Sequence, residues 1–291
     1  MKATFDCRNR HLDITQSSSA RHNHGKEFMS KINISELDAI KEQIASPSFR
    51  LAALDQDFLL GDSMRGVRFL LEYAKAEEVL RRWNIVSTVV VFGSARVSLD
   101  GDARHSHWYR QAREFGRICS QRGGALDGDN RKHRNVIATG GGPGIMEAAN
   151  RGAFEVGAPS IGFNITLPHE QYPNPYTTPE LTFQFHYFAM RKMHLAMRAR
   201  ALIVFPGGYG TLDELFELLT LVQTTKAPQV PIVLFDQDFW SKTISFDGLV
   251  EAGTISPGDP DLFCYANSAE EIWSKLLDEG LLSQPDEMHI T

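Results

Sequence analysis

Cysteine is nearly absent. Cys7, Cys119 and Cys264 are the three among 291 residues, and they fall at no metal-binding spacing. A sparse, odd set makes no disulfide framework and suits a reducing compartment. Positive charge is also short: a net charge of −6 offers no field for releasing counterions, which excludes a general nucleic-acid binder. No apolar run approaches the roughly 20 residues of a membrane span. Met1 to Arg21 is polar and lacks the apolar centre of a signal peptide. The expectation is a cytoplasmic protein with no membrane partner. Two nucleotide motifs are missing as well. No G-x-x-x-x-G-K-[S/T] occurs, and no start within Gly140 to Gly144 completes G-x-G-x-x-G.

What remains is the composition of a soluble globular protein, with 42% hydrophobic and 23% charged residues and length enough for a substantial core. Ala201 to Phe205 is a short apolar run, suited to a strand buried on both faces of a parallel sheet. Pro206 ends the ladder, and Gly207, Gly208 and Gly210 give a sharp turn. Thr211 then opens a helix with Leu212, Leu215, Phe216, Leu219 and Val222 at helical spacing. A glycine turn at a helix N-terminus is an anion site, and phosphate is the usual anion.

The same pattern recurs upstream. Thr88 to Phe92 reads as a strand followed by Gly93-Ser94-Ala95-Arg96, where Ser94 could donate to a phosphate or ribose oxygen and Arg96 could neutralise charge. Asn135 to Thr139 reads as a second strand followed by Gly140-Gly141-Gly142-Pro143-Gly144. Pro159 to Asn164, Leu181 to Phe185 and Pro231 to Phe235 read as further strands. Asn164 stands where a dinucleotide site would want an acid. Three strand-end turns would converge on one edge of a doubly wound sheet. With the pair Arg191-Lys192 and the carboxylate of Glu214, they suggest a pocket for a nucleotide monophosphate. Glu214 has a second reading, because Thr211-x-x-Glu214 is also a capping box, and spacing leaves cap and catalyst both open.

The remaining segments are less specific. Residues 1–27 read as a flexible terminus, in which His22 and His24 are solvated rather than metal ligands. Residues 28–86 read as a helical extension whose long amphipathic helix, Met64 to Leu80, carries Arg65 and Arg68 on one face. Gly123 to Arg134 reads as a polar loop, and Ile165 to Pro179 as a Pro-rich loop whose His169, Tyr172 and Tyr176 could cover a base. Residues 87–291 form the nucleotide-binding domain.

The motifs Gly140-Gly-Gly-x-Gly144, Met190-Arg-Lys192 and Pro206-Gly-Gly-x-Gly-Thr-x-x-Glu214 resemble those of the Lonely Guy (LOG) family of nucleotide phosphoribohydrolases, in order and approximate spacing. Many members carry an old lysine decarboxylase label. The resemblance covers roughly Ser87 to Asp278. It implies a Rossmann-like α/β fold with a doubly wound parallel sheet, and a homodimer or larger assembly with sites near the subunit interface. It also implies hydrolysis of nucleoside 5′-monophosphates to base and ribose 5-phosphate. The family's catalytic arginine maps onto Arg191 and its catalytic glutamate onto Glu214. Ser94, Gly141, Gly142, Gly144, Lys192, Gly207, Gly208, Gly210 and Thr211 are the expected substrate contacts, with no cofactor and no metal.

The extension, the Gly123 to Arg134 loop and Glu147-Ala-Ala depart from short plant-type members and look more like longer bacterial ones. They favour AMP or a broader nucleotide set over a dedicated cytokinin riboside monophosphate. A pyridoxal-phosphate decarboxylase would need a placed lysine and an acid for the pyridine nitrogen, and nothing supplies the acid. A non-catalytic carrier of a nucleotide or molybdenum cofactor is the stronger rival.

Overall fold

Apolar runs too short for helices and flanked by glycine or proline become the strands. The computed structural model describes residues 34–126, 132–168 and 172–282. The segment with His22 and His24, the centre of the Gly123 to Arg134 loop, and His169 lie outside them. The chain divides into two compact units, Met1–Arg65 and Gly66–Thr291. In the first, α1 (Ile34–Ala45) is followed by 3-10 turns and the short α2 (Gln56–Leu60), capped by the Asp55 carboxylate accepting from the Phe58 N–H. Phe49, Leu51, Leu54 and Leu60 are exposed, and none of the described side chains from Ser35 to Arg65 is buried.

The second unit opens on the rest of α3 (Arg65–Arg82) and enters β1 (Thr88–Phe92). There follow α4 (Ala103–Arg122), β2 (Val136–Thr139), α5 (Ile145–Glu155), β3 (Ser160–Ile165), β4 (Thr182–Phe185), α6 (Phe188–Met197), β5 (Ala199–Val204) and α7 (Tyr209–Gln223). Then come β6 (Ile232–Phe235), α8 (Gln237–Thr243), α9 (Phe246–Glu251), β7 (Cys264–Ala266) and α10 (Ala269–Asp278). The strands form one parallel sheet in the order β4-β3-β2-β1-β5-β6-β7. The five expected strands before Pro231 and the one beginning there all appear, the first with the expected bounds and the others with ends displaced by at most two residues. β7, three residues long and only partly buried, has no comparable apolar run and was not expected.

Every residue of β1, β2, β5 and β6 is buried, as helices on both faces require. The chain winds outward from β1 through β4, then crosses back to place β5 on the other side of β1. Open parallel sheets bind ligands at such a reversal, beyond the carboxyl ends of the strands.

Helix α3 belongs to this packing. It buries Ala76 and Leu80, and Arg198 makes two bonds of 2.9 Å to the Glu77 carboxylate. Burial alone would push the Glu77 carboxyl up, yet the bonds from Arg198 and Arg81 outweigh it and hold it below its usual value. At its other end Glu72 accepts the His186 and Tyr187 N–H groups at 2.9 and 3.2 Å, placing a carboxylate at the start of α6. Phe69 meets the Tyr187 ring edge-on at 4.3 Å. Arg68 donates to the Tyr187 hydroxyl at 3.0 Å, and Arg65 lies 3.5 Å from Asp62. The helix that carries Arg191 and Lys192 is therefore held at its N-terminus by α3.

Candidate active site

Three turns meet at the reversal point, and Ser94 joins them. Its N–H donates to the Pro206 carbonyl at 3.0 Å, and its carbonyl accepts from Ile145 N–H at 3.1 Å. The ends of β1, β2 and β5 are thus stitched through one residue. The Ser94 hydroxyl accepts from the Arg96 N–H at 3.1 Å, which leaves its own proton free to donate. Beyond this seam opens a cleft of about 650 Å³ lined by Ser94, Arg96, Arg191, Gly207, Gly208, Gly210, Thr211 and Glu214. Seven of the eleven expected site residues share it.

The others are placed differently. The Gly141 N–H donates to the Thr139 hydroxyl at 2.9 Å, while Asn174 bonds the carbonyls of Gly141 and Gly142 at 2.8 and 3.1 Å. Gly144 is the N-cap of α5 at φ 74°. These three glycines are buried and shape a wall behind the cleft. Of the helix they introduce, Met146 lines the cleft. Arg191 rests on the first glycine of the same turn: its Nη2 lies 2.6 Å from where a Cβ on Gly140 would stand, so a side chain there would displace the guanidinium. Its Cζ sits 5.8 Å from the Phe92 ring centroid, and its buried Nε has no hydrogen-bond partner.

Glu214 is the decisive group. Helix α7 begins at Tyr209 with Gly208 as N-cap, two residues earlier than the sequence pattern suggests. Thr211 is therefore inside the helix, its N–H bonded to the Gly208 carbonyl at 3.0 Å. The capping-box geometry does not exist. Instead the Thr211 side chain lies over Gly207, where a Cβ would collide with it. Released from capping, Glu214 is 8% exposed and faces the cleft. Burial pushes its carboxyl up to about 7, against the pull of Arg191 and Lys192. Among the described residues it has no hydrogen bond or ion pair.

The Lys192 ammonium points along α7, 2.8 Å from Asp213 Oδ1 and 2.9 Å from Glu217 Oε2. Tyr176 packs against Phe154 and the Arg151 guanidinium on the outer side of α5, so it does not cover the cleft. Asn164 donates to the Phe183 carbonyl at 3.1 Å and backs Gly141, serving the wall rather than a ribose. Phe188, Tyr209 and Thr243 line the cleft without having been singled out. Phe188 and Tyr209 neighbour recognised motifs, whereas Thr243, at the end of α8, has no local signal.

Fold and cleft define a Rossmann-like α/β protein whose site lies at the reversal of a parallel sheet. The family model described as possible lysine decarboxylase matches residues 146–276. The cytokinin riboside 5′-monophosphate phosphoribohydrolase LOG1 of Arabidopsis thaliana is 31% identical over 147 residues, covering 50% of this chain and 68% of that protein. LOG3 of the same plant is 30% identical over 184 residues, 57% of this chain and 84% of that protein. Among solved structures, the molybdenum cofactor binding protein of Rippkaea orientalis is 18% identical, with a TM-score of 0.45 over 66% of this chain and 94% of that one. The chain belongs to the LOG family.

Proposed function

We propose that the protein hydrolyses the N-glycosidic bond of nucleoside 5′-monophosphates, of the AMP or cytokinin riboside monophosphate type, giving free base and ribose 5-phosphate. The plant relatives are named for that reaction on cytokinin riboside 5′-monophosphates. The observation that carries the reading is Glu214, a buried carboxylate free of capping duty that shares a cleft with Arg191 and the first turn of α7.

Breaking the bond builds positive charge on the ribose, as in oxocarbenium-like transition states. The Glu214 carboxylate stabilises that charge and orients the attacking water. Arg191, whose Nε lacks a partner, donates to the departing base or to the phosphate. The amides of Tyr209 and Gly210, ahead of the first bond inside α7 at Thr211, receive the 5′-phosphate together with the Thr211 and Ser94 hydroxyls. That binding fixes the reacting carbon beside the carboxylate. Gly140, at the start of the turn that holds Gly141, Gly142 and Gly144, leaves room for Arg191. Phe188 and Tyr209 are exposed at the cleft, which supports a homo-oligomer with sites near the interface.

The test is release of free base from AMP, GMP, CMP, UMP and isopentenyladenosine monophosphate, with nucleotide binding measured in parallel. Glu214→Gln is expected to lower kcat by about 10³-fold with binding retained. Since the working form is the carboxylate, kcat/KM rises with pH through the region near 7 and levels off above it. An inert wild type that still binds nucleotides makes the protein a carrier.

A further inference from the structure

Lys192 neighbours the catalytic candidate Arg191 in sequence, yet its ammonium is spent on two carboxylates of the next helix. Asp213 and Glu217 lie on either side of Glu214 along α7, and Lys192 reaches both from α6. The lysine side chain is 17% exposed while Asp213 is 52% and Glu217 34% exposed, so the bridge is shielded on the lysine side and open to solvent at Asp213. We propose that Lys192 is a positioning residue: it ties α6 to α7, fixes Arg191 relative to Glu214, and neutralises the two carboxylates flanking Glu214. The inference rests on the reading of Glu214 as the working carboxylate.

The charges around Glu214 make the consequence definite. Helix α6 supplies Arg191 and Lys192, and α7 supplies Asp213 and Glu217. Val90 and Phe92 of β1 bring no charge, and the Arg96 guanidinium belongs to the same cleft. The cations favour an ionised Glu214, while Asp213 and Glu217 oppose it. Removing the Lys192 charge subtracts one cation and uncovers two anions, so both effects act in one direction. Removing Asp213 or Glu217 acts in the other.

The experiment is the pH dependence of kcat/KM and of KM for the nucleotide that the wild type hydrolyses fastest. Lys192→Met is expected to move the acidic limb upward by about one pH unit. The accompanying loss of about tenfold in kcat/KM near pH 6 should fade at alkaline pH. Lys192→Arg should keep the wild-type limb, Asp213→Asn and Glu217→Gln should move it down, and Lys192→Met/Glu217→Gln should lie between the single variants. A Lys192→Met enzyme with an unmoved limb and a raised KM would make Lys192 a substrate contact and overturn the proposal. A uniform loss at every pH, unchanged by Glu217→Gln, would overturn it too. If the wild type releases no base, the hydrolase reading fails separately. The lysine's effect is then read from the 13C-carboxyl titration of Glu214, assigned by its disappearance in Glu214→Gln. Coincident titrations in wild type and Lys192→Met would sink the proposal there.

Discussion

The glycine turns after β2 and β5 are built from the same residue types and do opposite work. The turn after β2 is sealed. Thr139 takes the Gly141 N–H, Asn174 takes two carbonyls, and Asn150 closes the network by accepting from Thr139 at 2.7 Å and from Asn174 at 3.0 Å. The turn after β5 opens on the cleft, and a Cβ at Gly208 or Gly210 would meet nothing within 4 Å. Glycine is used once to bring backbone against backbone and once to keep a surface bare. Two turns with one glycine pattern therefore need not share a role, since a strand-end turn binds an anion only where its amides remain unspent.

The contrast breaks most visibly at Gly144. A Cβ there would meet the Ser94 carbonyl and the Ala95 backbone, at a φ of 74° that L side chains rarely adopt. Gly144→Ala is expected to cost about 3 kcal/mol through strain and overpacking, read as a lower denaturation midpoint at unchanged slope. Next in size is Asn174→Ala. It removes the bonds to Gly142 and Asn150 and leaves the buried Gly142 carbonyl without its donor, for a loss of about 2 kcal/mol. A variant that melts like the wild type would show that Asn174 does not hold the wall.

Much of this was legible in the sequence. Short apolar runs ending in glycine or proline marked the strands of the sheet centre, because burial on both faces leaves few other residues possible. The convergence of the three turns and the sharing of one cleft by Arg191 and Glu214 also followed from the motifs. What escaped was the content of each turn. Which backbone groups are already spent depends on Thr139, which takes an amide, and on Asn174, which takes two carbonyls, and Asn174 lies more than thirty residues away in a loop where it carries no signal of its own. The start of α7 escaped for a related reason. Thr211 looks like a cap, but Gly207 lets the chain turn early and Gly208 takes the N-cap, so the helix begins at Tyr209. That two-residue shift turns Glu214 from a helix cap into a buried acid. The role of Lys192 was hidden because a basic pair in a helix does not tell which way each side chain reaches.

The smallest expected stability change is the sharpest test of the comparison. Gly208 has a φ of −100°, which any L residue can adopt, and open space where its Cβ would be. Gly208→Ala should therefore change unfolding free energy by no more than about 0.5 kcal/mol, in contrast to Gly144→Ala. If the turn after β5 receives the 5′-phosphate, however, the new methyl stands where the anion approaches the backbone. The expected pattern is an unchanged melting profile with a KM for nucleoside monophosphate raised by about tenfold. An unchanged KM would move the phosphate away from this turn, and with it the reason for leaving the surface bare. A large loss of stability would instead show that the turn after β5 is packed like its counterpart, and the division of labour between the two would collapse.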